Sequence, residues 1–223
     1  MAEKPKLRAA GEIVMEVVDT AVTNRWDAAV RRADATPGAD IDAQVRALRK
    51  SFARELATVG AAAGGTAASP GVGTVAGLSV AGSEFAWTTT RGADLILTIG
   101  AIHGHEGASL EERRAWILAV LLFGETASVN LGKLTTQTAK GLGKKATDAI
   151  SVETLRAINR TLGRTVLTKY GTKRGAVAIG RLLPFGIGAA IGGTANYVLV
   201  RGVSRHADSF FRDLPGPLRD VRA

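Results

Sequence analysis

Residues 109–123 read SLEERRAWILAVLLF, and this stretch decides the fold class. Ser109 and Glu112 stand three positions apart, which is the spacing of a capping box. In such a box the serine hydroxyl accepts from the backbone N–H of the glutamate, and the glutamate side chain accepts from the backbone N–H of the serine. Apolar residues fill most of the positions that follow. The pattern predicts a helix from Leu110 to about Gly124, one of the helices of an all-α protein.

The sequence before this helix predicts more helices. Residues 84–102 carry apolar side chains at helical spacing, and residues 103–107, HGHEG, end that helix with a loop. Closer to the N-terminus, apolar positions recur at three- and four-residue steps. They predict one helix from about Lys6 to Arg32.

A turn separates that first helix from the next one. Residues 36–38, Thr-Pro-Gly, break the first helix, and Asp40 can cap the second by accepting a backbone N–H. The second helix carries a single apolar stripe, formed by Ile41, Val45, Leu48, Phe52, Leu56 and Val59.

Two uncharged, glycine-rich stretches cover residues 56–83 and 182–200. Pro70 divides the first stretch into arms that are each too short to cross a bilayer. Small residues at four-residue spacing favour close contact between helices. These features predict buried helical hairpins rich in glycine and alanine, with insertion into the bilayer as the open alternative. The glycines expected at tight helix contacts are Gly60, Gly64, Gly186, Gly188 and Gly192.

The rest of the chain predicts a connection and a last helix. Residues 135–147 are polar and rich in glycine and lysine, which is typical of a flexible connection. Near the C-terminus an apolar stripe at helical spacing ends before Pro215. Its members are Val203, Ala207, Phe210 and Phe211.

Almost no segment has the alternation of a β-strand, so we expect an all-α multi-helix bundle. We expect three parts: an N-terminal amphipathic helix in residues 1–38, a helical domain in residues 39–214 and a C-terminal tail in residues 215–223.

The positive charge is concentrated in one segment. The net charge is +9, yet residues 1–132 hold 13 basic and 15 acidic side chains. Residues 133–205 hold 13 basic side chains against only Asp148 and Glu153. A segment of one sign favours an anionic partner, because its self-repulsion otherwise costs stability. A purely solubilising surface is the alternative.

Anionic phospholipid is the partner that this segment favours, since each basic residue near such a surface contributes about 1 kcal/mol. Arg156, Arg160 and Arg164 repeat every four residues and share one helical face. Nucleic acid would use the same charges, but Tyr170 is the only aromatic residue in the middle of the segment, and single strands bind to aromatic platforms. The residues predicted to contact the anionic surface are Lys140, Lys144, Lys145, Arg156, Arg160, Arg164, Lys173 and Arg174.

The sequence favours no catalytic or metal site. His103, His105 and Glu106 form the one cluster with metal-ligand character, but a stable site needs three or four ligands, and His206 is the only other histidine. A solvent-exposed interhelical turn is therefore the preferred interpretation of this cluster. The chain has no cysteine, and no nucleophile stands with a base and an orienting acid. We expect a protein that is not an enzyme and that holds no cofactor or metal.

Other functions stay open at this point. Glycine-lined helices can enclose an apolar ligand or a lipid, and a basic segment can belong to a nucleic-acid-binding accessory protein. The N-terminal residues lack the apolar core of a signal peptide, which favours the cytoplasm.

A resemblance to a known family is carried by residues 92–99 (GADLILTI), 110–121 (LEERRAWILAVL) and 183–196 (LPFGIGAAIGGTAN). With these stretches, the chain from about residue 40 to 212 resembles the EcsC family, bacterial helical proteins named for the third product of an exporter operon. The resemblance implies association with the inner face of the cell membrane. It also implies a link to export and secretion, with an export-system or other membrane protein as a further partner. It transfers no catalytic residues, and the turn at residues 103–105 differs from the Tyr-Gly type common in that family.

Overall fold

The protein is a bundle of α-helices, as the sequence predicts. The computed structural model describes residues 10–66, 74–142, 150–170 and 194–214, and these ranges contain no β-strand. A short 3-10 turn, Gly124–Thr126, joins two of the helices. The helices are α1 (Ala10–Asn24), α2 (Trp26–Asp34), α3 (Ile41–Thr66), α4 (Thr74–Ile102), α5 (Leu110–Phe123), α6 (Ala127–Gly141), α7 (Val152–Tyr170) and α8 (Thr194–Arg212).

Helix α5 lies at the centre of the bundle. The predicted capping box is confirmed: the backbone N–H of Glu112 donates to Ser109 Oγ at 3.3 Å, and the backbone N–H of Ser109 donates to Glu112 Oε2 at 2.7 Å. Every residue from Ala115 to Val120 is buried. A helix that is apolar around its whole circumference needs neighbours on all sides. The neighbours of α5 are α1, α4, α6, α7 and α8.

The prediction of a single N-terminal helix over residues 6–32 is wrong in one respect. The chain breaks between α1 and α2 at Arg25, whose φ of −116° and ψ of −3° depart from those of a regular helix. The break lets α2 pack along α4 and brings Trp26 against Trp116, with 6.3 Å between their ring centroids. Residues 6–9 lie outside the described ranges.

The prediction for α3 is confirmed at its start and along its stripe. Asp40 Oδ1 accepts from the backbone N–H of Ala43 at 2.6 Å, which caps the helix. The residues Val45, Leu48, Phe52 and Leu56 are buried, whereas Ile41, in the first turn, is 39% exposed. The packing of Val59 is not described.

The first uncharged stretch is helical on both sides of residues 67–73, which lie outside the described ranges. Its second arm and the helix predicted over residues 84–102 form one continuous helix, α4. Gly60 and Gly64 lie within α3, but their surroundings are not described. The other three predicted contact glycines, Gly186, Gly188 and Gly192, lie outside the described ranges, so the buried hairpins stay a prediction.

The flexible connection predicted over residues 135–147 is wrong for its first half. Helix α6 continues to Gly141, and both Thr135 and Ala139 are buried in it. The Thr135 hydroxyl donates to the Leu131 carbonyl at 2.8 Å, which removes the cost of burying it. Residues 143–149 lie outside the described ranges.

Among the residues that the structure describes, one helical stretch is long and apolar enough to cross a membrane. It is Leu110–Gly141, which combines α5, the 3-10 turn and α6. Because 56% of its most apolar 18-residue segment is buried inside the protein, the stretch also has the character of a core element. Helix α8 completes the core with Ala207, Phe210 and Phe211, as predicted, while Val203 is partly buried.

Candidate functional site

The packing of α7 decides which of its residues reach solvent. Four apolar side chains of this helix are fully buried, and they face α1 and α5. They are Leu155, Ile158, Leu162 and Val166. The opposite face therefore points outward, and it carries the three arginines at four-residue spacing. Arg156, Arg160 and Arg164 are all exposed, as the shared face predicts.

The three arginines differ in their partners. Arg156 Nε donates to Glu111 Oε1 at 3.3 Å, and its side chain is still 60% exposed. The side chains of Arg160 and Arg164 make no hydrogen bond or ion pair with any residue in the described ranges. Two cations one turn apart are thus held at the surface by a helix that packs on α1 and α5, and they remain available to an external anion.

Helix α6, which packs against α7, adds further positive charge. Lys140 is exposed near its C-terminal end, as expected for a surface residue. Lys133 is exposed too, seven residues earlier and on the same face, and α6 contains no acidic residue. Lys133 is not among the predicted contact residues, although its spacing from Lys140 is helical.

The remaining predicted contact residues cannot be placed on this surface. Lys144, Lys145, Lys173 and Arg174 lie outside the described ranges. The described part of the predicted basic site is therefore the outward face of α7 together with Lys140.

The histidine turn is only partly the exposed turn that the sequence predicts. Gly104, Glu106 and Gly107 are exposed, but the His103 side chain is 7% exposed. His103 Nε2 lies 2.9 Å from Asp208 Oδ1 on α8, and the imidazole stacks on Phe211. The prediction fails for the side chains because α8 covers the turn from a distant part of the chain.

His105 packs inward as well, with its ring centroid 5.5 Å from both Trp116 and Phe211. The two imidazoles thus belong to an aromatic cluster. Among the residues in the described ranges, no three His, Cys, Asp or Glu side chains are placed to hold a metal ion.

Burial changes the acid-base behaviour of two histidines. Desolvation lowers the pKa of His103, and this effect outweighs the hydrogen bond to Asp208, which acts in the opposite direction. Desolvation also lowers the pKa of His206, which lies under the 3-10 turn beside Glu125. Both imidazoles therefore favour the neutral form in the folded protein.

A second group of arginines, which is absent from the predicted sites, is partly buried where α2, α3 and α4 meet the junction of α1 and α2. Arg25 donates through Nε and Nη2 to the two carboxylate oxygens of Asp94, with 2.6 Å between Nη2 and Oδ2. Arg91 Nη1 donates to the same Oδ2 at 3.0 Å. Arg91 also pairs with Glu55, which accepts from Arg32 Nη2 at 2.6 Å. The five residues alternate in charge and connect the α1–α2 junction, α2, α3 and α4.

This inner network also uses an aromatic ring. The guanidinium groups of Arg32 and Arg91 each lie 4.6 Å from the centroid of Phe52, which is fully buried. The hydrogen bond to Asp94 raises the pKa of Arg25. One signal in the sequence pointed to the network: Asp94 is the only carboxylate in residues 85–105, and a buried carboxylate requires a partner.

Comparison with known proteins gives no match: no protein-family model, no curated protein and no solved structure matches the chain. The geometry of the described residues therefore carries the functional argument.

Proposed function

We propose that this chain is a non-enzymatic helical protein of EcsC type that binds peripherally to an anionic membrane surface, at the inner face of the cell membrane. The observation that carries the proposal is the outward face of α7, where Arg160 and Arg164 have no partner among the described residues. The resemblance of residues 92–99, 110–121 and 183–196 to the EcsC family supports the same conclusion.

The dimensions of the arginine row suit a flat anionic surface. Arg156 and Arg164 are eight residues apart, which corresponds to about 12 Å along a helix. Phospholipid headgroups present their phosphates in a plane, so a straight row can approach several of them at once. Each basic residue near such a surface contributes about 1 kcal/mol.

The segment that follows α5 strengthens this attraction. Residues 133–205 contain only two carboxylates against 13 basic side chains, and among the described residues Glu111 of α5 is the carboxylate that pairs with a member of the arginine row, Arg156. The attraction extends over about one Debye length, roughly 8 Å at physiological salt. Binding must therefore weaken as salt rises and must require anionic headgroups.

The test is flotation of the full chain with liposomes. We expect the wild-type protein to float with phosphatidylglycerol liposomes at low salt. It should not float with phosphatidylcholine liposomes, and less of it should float with phosphatidylglycerol liposomes at high salt. The double variant R160E/R164E should lose flotation, because it replaces two attractive charges with two repulsive ones.

A matched control is available on α3. Arg46 and Lys50 are exposed, have the same four-residue spacing and make no ion pair with a described residue. The variant R46E/K50E changes the net charge by the same amount and should still float. Equal loss in both variants would show that net charge alone matters, and would contradict a site on α7. If the wild type does not float but shifts duplex DNA in a gel, the anionic partner is nucleic acid and not a membrane.

A further inference from the structure

The outward face of α7 also carries an exposed apolar side chain. Leu167 is 44% exposed, and it follows Arg160 by seven residues and Arg164 by three. These spacings place it on the same helical face as the arginines. The apolar residues that α7 buries, such as Val166, lie on the opposite side. Among the side chains of α7 that the structure describes, Leu167 is the one exposed large apolar side chain beside these arginines.

The backbone at Leu167 is held in place by α1. A Cβ added to Gly11 would lie 3.1 Å from Leu167 Cα, 3.1 Å from the Val166 carbonyl oxygen and 3.5 Å from Leu167 Cδ2, so the two helices touch here and part of the leucine side chain lies along α1. The rest of the side chain is exposed beside this contact between α1 and α7.

We propose that Leu167 inserts into the boundary between headgroups and acyl chains of an anionic bilayer, while Arg160 and Arg164 stay at the phosphates. This inference rests on the function proposed above and deepens it. The face then binds through two forces: the arginines give the preference for anionic lipid, and the leucine gives a contact that salt does not screen.

The leucine also distinguishes between two anionic partners. The phosphodiester backbone of a nucleic acid attracts arginine, but it offers no apolar phase to a neighbouring leucine. A bilayer offers phosphates and, a few ångströms deeper, an apolar phase. From Arg160 to Leu167 the row extends about 10 Å along the helix, which lets both kinds of contact form when the axis of α7 lies parallel to the surface.

The chain has no cysteine, so one introduced cysteine can be labelled alone. The experiment attaches an environment-sensitive fluorophore to L167C in the full chain and mixes it with phosphatidylglycerol vesicles. The control is I41C, because Ile41 is exposed to a similar extent, 39%, but lies at the start of α3. We expect a blue shift at position 167 and quenching by lipids that carry a quencher just below the headgroup, with neither effect at position 41.

A second measurement uses unlabelled protein. L167S should partition into the same vesicles about tenfold more weakly than the wild type, since burying a leucine is worth at least one factor of ten. I41S should bind as the wild type does. Circular dichroism should show the same helix content in all variants, because both positions are exposed.

The outcomes separate this inference from the function on which it rests. If the protein floats but the label at position 167 stays in water, or if L167S binds as well as the wild type, leucine insertion is wrong and the arginine site stands. If the wild type does not float with anionic vesicles, both proposals are wrong.

Discussion

Arginines in two regions of this molecule have opposite surroundings. Between α2, α3 and α4, the partly buried Arg25, Arg32 and Arg91 each donate to a carboxylate of α3 or α4, and two of them also cover the ring of Phe52. On the outside of α7 the row that contains Arg160 and Arg164 points to solvent, and within the described part of the chain only its first member, Arg156, pairs with a carboxylate. The residue type is the same, and its role differs.

The two groups of arginines differ in role because they differ in exposure and in access to carboxylates. Asp94 is 10% exposed and Arg91 15% exposed, so removing either would leave a charge with little access to water. On α7 the arginines keep their hydration, and they contribute little to stability. Arginines of the first kind contribute to stability through their ion pairs, and those of the second kind are exposed to an external anion.

The largest effect is expected when the inner network loses its shared acid. D94A leaves Arg25 and Arg91 without the carboxylate that accepts from both of them. We expect a loss of about 2–3 kcal/mol, below the range for a fully buried pair because Arg25 reaches water and Arg91 keeps Glu55. Urea denaturation followed by circular dichroism measures it.

A matched control for this variant is D19A, which removes a more exposed ion pair with Arg114. It should cost less than about 1 kcal/mol. Equal losses in the two variants would show that the inner pairs are no more important than surface pairs.

An intermediate effect on stability is expected when the pH is lowered, because this protonates the packed histidines and leaves the charge of the arginines of α7 unchanged. Because burial lowers the folded-state pKa of His103 and His206, the unfolded chain binds more protons below the ordinary histidine value. Their contribution to stability is complete above about pH 6.5 and is lost as the pH falls below it. The melting temperature should therefore fall as the pH is lowered from 7 to 5.

The variant H103Q should show a flatter pH dependence over that window, because glutamine does not titrate there and its amide can still donate to Asp208. The groups around His103 are Asp208, Arg212 and Asp42, and an unchanged pH profile in H103Q would assign the effect to His206 or to the acids. Flotation of the wild type should persist at pH 5.5, since arginine stays charged.

The smallest effect on stability is expected on α7. R160Q/R164Q should change the free energy of unfolding by less than about 0.5 kcal/mol, because neither side chain has a partner among the described residues. Thermal melts of this variant and the wild type should overlay. A loss of 2 kcal/mol would mean that these arginines hold the fold together and would contradict their assignment as a free surface.

Local signals in the sequence predicted much of the fold. Helices begin at the capping box of Ser109 and at the cap formed by Asp40, as predicted, because each of these caps involves only atoms within one turn of the chain. The common face of Arg156, Arg160 and Arg164 also follows from helical spacing alone, and the structure leaves it exposed.

Local signals failed where a distant segment decided the outcome. The polar residues 135–141 resembled a connection, yet they continue α6 because the bundle buries Thr135 and Ala139. The turn around His103 resembled a solvent-exposed loop, yet α8 covers its side chain through Asp208 and Phe211.

The sequence by itself determined that this protein is all-α, where several of its helices begin, and that three arginines of its basic segment share one face. Only the tertiary structure decided which charges are paired. Arg25 and Asp94 are 69 positions apart, and nothing at either position identifies the other. The physical reason is that helix periodicity and capping depend on neighbours within a turn, whereas the pairing of charges and the covering of the histidines depend on how finished helices pack.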